Sequence, residues 1–141
     1  MSFLLDTNVI SESVRPRPDA GLMEWLASAD EDRVYLSVIT IAEIRSGIER
    51  LHAGRRRSRL DGWLRDELAL RFEGRILPIS PAIADTWGKI VAQRDTIGRP
   101  IGIMDAFIAA TAMAHDLALV TRNRSDFAPT LKNILDPWTP G

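Results

Sequence analysis

Cysteine is absent from the 141-residue chain. That excludes a disulfide framework, a zinc–thiolate site and a cysteine nucleophile, and it suits a reducing compartment. The N-terminus has neither the basic segment nor the long apolar run of a secretory signal. No charge-free stretch reaches membrane-spanning length. A cytoplasmic protein with no membrane attachment is the expectation. Histidine is scarce, and His52 and His115 do not form a metal pair by sequence; His115, near a predicted helix C-terminus, is expected to complement the helix dipole or join the core. An excess of one charge is also missing. Eighteen basic and 19 acidic residues leave a net charge of −1, so overall composition does not advertise nucleic-acid binding. Repeats, low-complexity segments and linkers are lacking too. Residues 1–141 therefore read as one domain, long enough for a proper core.

What is present alternates between short apolar runs and helical periodicity. FLL (residues 3–5) is a strand candidate that ends abruptly in Asp6, Thr7 and Asn8. ISESVRPRP predicts a short helix closed by a proline turn, and DAGLMEWLASA a helix with Leu22, Trp25 and Leu26 on one side. VYLSV is a strand, TIAEIRSGIERLHAG a helix striped by Ile41, Ile44, Ile48 and Leu51, with Gly54 ending it. SRLDGWLRDELALRF is a second amphipathic helix, RILPIS a strand, AIADTWGKIVAQRD a helix and TIGRPIG a loop. IMDAFIAATAMAHD is the most hydrophobic helix. LALVT is a strand, RNRSDFAP a loop and KNILDPW a last short strand. This alternation predicts an α/β sandwich around a central, mostly parallel sheet of about four or five strands flanked by helices.

Four acids occupy unusual places. Asp6 follows the first strand, where an Asx-turn or helix cap is the ordinary explanation. Glu43 is read in the first turn of its helix, in a capping box with Thr40, roughly 120° round the helical wheel from the isoleucine stripe. Asp126 follows the LALVT strand and has a cap as its ordinary reading. Asp105 is the one charged residue between Pro100 and Ala114, in a helix apolar all round and hence expected to be buried. A buried carboxylate must be neutral, paired, hydrogen-bonded or bound to a metal, backbone N–H groups near Gly102 being the simplest partners. In a parallel α/β sheet, strand C-termini and the N-termini of neighbouring helices share one edge, where ligands bind. All four acids are predicted there. Carboxylates gathered at close range call for a cation, and hard oxygen ligands suit Mg²⁺ or Mn²⁺, while helix N-termini offer N–H groups to phosphate. Such a site fits phosphodiester hydrolysis. The run Arg55, Arg56, Arg57 and Arg59, an ordinary solvated face when taken alone, then gains a task in holding an RNA backbone.

These residues resemble the PIN-domain ribonucleases, specifically the VapC-like toxins of bacterial toxin–antitoxin pairs. LLDTNVISE looks like the opening motif with Asp6, SVITIAEIRSGI the second with Glu43, IMDAFIAATAMAH the third with Asp105, and LVTRNRSDF the fourth, ending near Asp126. The opening and the closing NILDPW look closest to the FitB-like subgroup. The resemblance implies a PIN-like three-layer sandwich and a metal-dependent endoribonuclease. Asp6 and Asp105 would contact Mg²⁺ (or Mn²⁺) directly, and Glu43 and Asp126 would orient water or hold a second ion. It also implies a homodimer covered by a VapB-like antitoxin, with operator DNA bound only through that antitoxin. Thr7, Asn8 and Thr121 match positions that support the acids by hydrogen bonds. In some relatives the fourth acid stands where this chain has Asn123, so Asn123 and Asp126 are both candidates for that place.

Other readings are weaker. A haloacid-dehalogenase phosphatase wants a second Asp two positions after Asp6, where Asn8 stands. A receiver domain wants paired acids at the first strand and a lysine near the last. Trp25, Trp63 and Trp87 are expected in the core or a dimer contact, since no basic–aromatic interleaving supports base stacking. The non-enzyme alternative is a PIN-like module acting mainly with its antitoxin on DNA. The apolar faces of residues 40–72 need cover and are expected to serve as both antitoxin groove and dimer face.

Overall fold

The computed structural model describes residues 1–140. The elements run β1 (Phe3–Leu5), α1 (Thr7–Ser13), α2 (Ala20–Ser28), β2 (Val34–Ser37), α3 (Val38–Glu49) and α4 (Arg55–Gly62). A π-helical segment (Trp63–Leu68) then leads to α5 (Ala69–Arg71) and β3 (Ile76–Leu77). α6 (Pro81–Thr96), α7 (Ile103–Ala114), β4 (Ala118–Val120), α8 (Arg124–Phe127) and β5 (Ile134–Leu135) complete the described chain. The five strands form one parallel sheet in the order β3-β2-β1-β4-β5.

Side chains of a strand alternate between faces, and β1 uses both. Leu4, with Leu119 of β4, packs under α6 and α7 against Ile83, Ile90, Ala106 and Ile108. Leu5, with Val34, Leu36 and Val120, packs on the opposite side against Val9, Leu22, Leu64 and Phe72. Two apolar cores, one on each face, make three layers, as expected for helices covering a parallel sheet. In β1, Leu4 pairs with Tyr35 of β2 and with Leu119 of β4. The strand that ends in Asp6 is therefore central.

Several local expectations are corrected. α3 starts at Val38, because Ser37 is its N-cap and accepts from Ile39 N at 3.0 Å. Thr40 thus lies inside the helix and Glu43 in its second turn, so the Thr40–Glu43 capping box does not form. The second amphipathic helix is interrupted by the π-helical segment, which buries Leu64 and Leu68 and leaves Trp63 half-buried. The RNRSDFAP loop contains α8. α7 is not buried all round: Ala106 and Ile108–Ala112 are buried, whereas Ile103 and Met104 at its start are 65% and 44% exposed. His115 is exposed at the α7 C-cap, the dipole-complementing place rather than the core.

Candidate active site at the carboxyl edge of the sheet

After β3 the chain crosses back over β1 to place β4 on its far side. The C-terminal ends of β1 and β4 therefore flank a topological switch point, the crevice where open α/β sheets bind ligands. Asp6 leaves β1 at this point, its N–H still donating to the Val120 carbonyl at 2.9 Å. Thr121 leaves β4 beside it, its N–H donating to the Leu135 carbonyl at 3.0 Å. The Thr121 hydroxyl donates to Asp6 Oδ2 at 2.8 Å. It also accepts from Asn8 Nδ2 at 3.3 Å and from the Asn123 N–H at 3.0 Å. Asp6 Oδ1 accepts from the Thr7 N–H at 2.8 Å, capping α1. The ordinary and the functional readings of Asp6 are thus compatible, since one oxygen caps while the other faces β4.

Glu43 comes from α3, behind β2. Its Oε1 accepts from the Thr7 hydroxyl at 2.6 Å, and Thr7 Oγ1 lies 3.1 Å from Thr40 Oγ1. Thr7 has one proton, given to Glu43, so Thr40 is the donor to Thr7. Thr40 is fully buried and is a part of the site that a cap reading of its sequence hid. Asp105 lies in the first turn of α7, behind Gly102, which offers no side-chain cap. Asp6 is 4% exposed and its carboxyl is pushed up to about 6, by burial first, against the pull of the Thr121 and Thr7 bonds and with a further push from Asp105 and Glu43. Asp105 is also raised, by burial first and then by Glu43 and Asp126, with no hydrogen bond in the balance. Asp126 is exposed on α8, and its charge reaches Asp105. Asn123 is exposed too, and its backbone rather than its amide touches the site.

Residues 3–129, a span holding all four acids, match the family model of the PIN domain. The chain belongs to the PIN-domain family. Its relatives include a protein named VapC ribonuclease Y4jK of Sinorhizobium fredii, 38% identical over 137 residues, which cover 97% of this chain and 98% of the relative. Toxin FitB of Neisseria gonorrhoeae is 39% identical over 135 residues, covering 96% and 97%. Among solved structures, a chain of FitAB bound to an IR36 DNA fragment superposes with a TM-score of 0.91 at 37% identity, covering 99% of this chain and 97% of that one.

This PIN domain offers oxygen donors only at its switch point, the chemistry of a hard cation. Among the described residues no three His, Cys, Asp or Glu side chains close into an all-protein metal shell. Magnesium fits an open set, because it binds through one or two carboxylates and keeps several waters. Asn8 Oδ1 supports that fit: it is buried without a hydrogen-bond partner, and ion-held water is a donor.

A groove of about 490 Å³ opens from Thr7 and Glu43 along α3, with Ile44, Ile48, Leu51, Leu60 and Trp63 as an apolar lining. The arginine run divides here. Arg56 and Arg59 line the groove, whereas Arg57 turns away to Glu49 Oε2 at 2.5 Å, and Arg55 is exposed outside the groove lining. Arg15, from the proline turn after α1, also lines it; the sequence reading missed it because a lone arginine between helices has no periodicity to mark it. Trp25 and Trp87 are packed instead, Trp25 edge-on to Phe3 and Trp87 stacked on Phe107.

The threonine pair is open to direct measurement. Thr7→Val keeps the shape but leaves the buried Thr40 hydroxyl and the Glu43 carboxylate without their shared partner. We expect a loss of about 1–3 kcal/mol, read as a lower urea midpoint at unchanged m-value. An unchanged midpoint would show that the Thr7 hydroxyl contributes nothing to stability.

Proposed function

We propose that this PIN domain is a Mg²⁺- or Mn²⁺-dependent endoribonuclease, the toxin half of a toxin–antitoxin pair. The carrying observation is the convergence of Asp6, Glu43 and Asp105, with Asp126 within electrostatic reach of Asp105. Burial pushes both Asp6 and Asp105 up; Asp105 and Glu43 push Asp6 up further, and Glu43 and Asp126 do the same to Asp105. Such carboxylates gain most from a bound cation. When bound, Mg²⁺ or Mn²⁺ supplies Lewis-acid polarisation of a phosphate and lowers the pKa of a coordinated water. Asp6, fixed by Thr7 and Thr121, and Asp105, presented by the first turn of α7, hold the ion. Glu43, anchored by the Thr7 hydroxyl, and Asp126 orient water. The names VapC ribonuclease and Toxin FitB among the relatives support the ribonuclease and toxin roles.

The partner in this reading is a VapB-like antitoxin; the FitAB and FitAcB structures among those similar to this chain support a partner, and the apolar groove beside Glu43 is the proposed seat for it. Operator DNA would be bound through that partner. A homodimer belongs to the same reading, with the apolar faces of residues 40–72 as its proposed contact. Cleavage of an RNA panel by antitoxin-free protein tests the enzyme reading. Activity should appear with Mg²⁺ or Mn²⁺, vanish with EDTA and be absent in Asp6→Ala. Activity that survives both EDTA and Asp6→Ala would sink it. If no RNA is cleaved and no Mg²⁺ binds, the DNA-binding module is favoured instead.

Arg56 and Arg59 hold the RNA backbone on this reading. Arg56→Ala/Arg59→Ala should raise KM with little change in kcat. It should also flatten the plot of log affinity against log salt by roughly 1.4, for two contacts to a single strand. Arg57→Ala, whose guanidinium is committed to Glu49, should leave that slope unchanged. Equal slopes in all three proteins would remove these arginines from the RNA path.

A further inference from the structure

Arg94, in the last turn of α6, is 4% exposed. Its guanidinium donates to neutral oxygens: Nε to the Arg99 carbonyl at 2.7 Å, and Nη1 to the Asp126 carbonyl at 3.0 Å and to Thr130 Oγ1 at 3.1 Å. A cation is costly to bury without a carboxylate, and an apolar side chain of similar volume would often serve stability as well. Its partners explain its presence better than packing does. Arg99 lies in the loop that runs into α7, three residues before its Gly102 cap and six before Asp105. Asp126 and Thr130 belong to the segment after β4 that carries the fourth acid. The Arg99 N–H also donates back to the Arg94 carbonyl at 3.0 Å, closing the loop onto α6 from both directions. Neither segment is anchored by its own helix start, since Gly102 and Asn123 provide no side-chain cap. One planar fork therefore ties together the two stretches of chain that deliver Asp105 and Asp126.

We propose that Arg94 is a positioning residue: by cross-linking the α6–α7 loop to the α8 segment, it sets the separation of Asp105 and Asp126 and so the cation affinity of the site. The inference rests on the acidic-site reading above. It is tested by Mn²⁺ binding alone, measured calorimetrically on full-length protein whose folding is checked by near-UV circular dichroism. Arg94→Met should weaken the dissociation constant by about 10-fold or more, the usual effect of losing a residue that orients metal-binding groups. Arg94→Lys should not rescue it, because an ammonium keeps the charge but lacks the planar fork. Thr130→Val, which removes only one of the three acceptors, should weaken binding by about 3-fold, less than the roughly 10-fold of losing the whole fork. Folded Arg94 variants that melt lower yet bind Mn²⁺ like wild type would make the role structural only and overturn the proposal. Should they not fold, wild-type binding by Thr130→Val overturns it. Asp105→Asn separates the two failures: if it binds Mn²⁺ as wild type does, the acidic-site reading itself falls.

Discussion

Asp105→Asn is expected to abolish RNA cleavage and, in the same protein, to raise the melting temperature in EDTA. The loss should be about 10³-fold or more, because a Lewis acid contributes several kcal/mol to such a transition state and Asp105 is one of the two residues proposed to hold it. The gain has the opposite sign for a related reason. Burial, Glu43 and Asp126 all disfavour the ionised Asp105, so an amide of the same shape relieves repulsion that the folded chain carries when no cation is present. No hydrogen bond enters that balance, which makes this a cleaner substitution than Asp6→Asn. There, Oδ1 and Oδ2 each accept a bond, and an amide can accept only one of them. Excess Mg²⁺ should stabilise wild type and leave the variant unmoved, since ligand stabilises only a chain that binds it. A variant that loses cleavage and melts lower would assign Asp105 to the fold rather than to the site.

Stability in EDTA should fall as pH rises from about 4 to about 7. Asp6 is raised from 3.8 to about 6 in the folded chain, so within that window the folded state binds more protons than the unfolded state. The slope of unfolding free energy with pH follows unfolded minus folded protons bound, and is negative there. The contribution is fully present below the unfolded value and lost as pH climbs through about 6. Over the whole window it amounts to about 3 kcal/mol, at 1.36 kcal/mol per unit. Asp105 is raised in the same sense and adds to it. Asp19 and Asp61 oppose the trend at the acid end, held low by backbone hydrogen bonds and by Arg45 respectively. Urea titrations of wild type and Asp6→Asn at several pH values isolate what Asp6 contributes, because the subtraction removes the other groups. A difference that does not change with pH between 4 and 7 would mean that Asp6 titrates alike in both states. Mg²⁺ at neutral pH should reverse the loss, by favouring the ionised form.

Both predictions depend on carboxylates that could be assigned to one edge from the sequence. A strand that stops at Asp6 and a helix that opens at Asp105 place these groups through local rules alone: alternation in strands, periodicity in helices, and the shared edge of a parallel sheet. The same rules predict a mostly parallel sheet covered on both faces, and the sheet is parallel throughout. Errors fell where two local rules competed. Thr40 and Glu43 match a capping box, but Ser37 sits nearer the end of β2 and captures the Ile39 N–H, so the helix begins earlier and Thr40 faces Thr7. RNRSDFAP lacks the length for a periodic signal, and its four-residue helix was invisible.

The sequence by itself determined that this is an α/β chain with four acids at one sheet edge, because both facts depend on neighbours within a few turns of chain. Only the tertiary structure decided which groups hold those acids. Thr121 reaches Asp6 because β4 lies beside β1, and Thr7 reaches Glu43 because α1 lies beside α3. Arg94 spans to Asp126 from another helix, and two of four clustered arginines turn into the groove. Such bonds are specified by strand order and helix packing, which bring distant residues within about 3 Å and leave no trace in spacing.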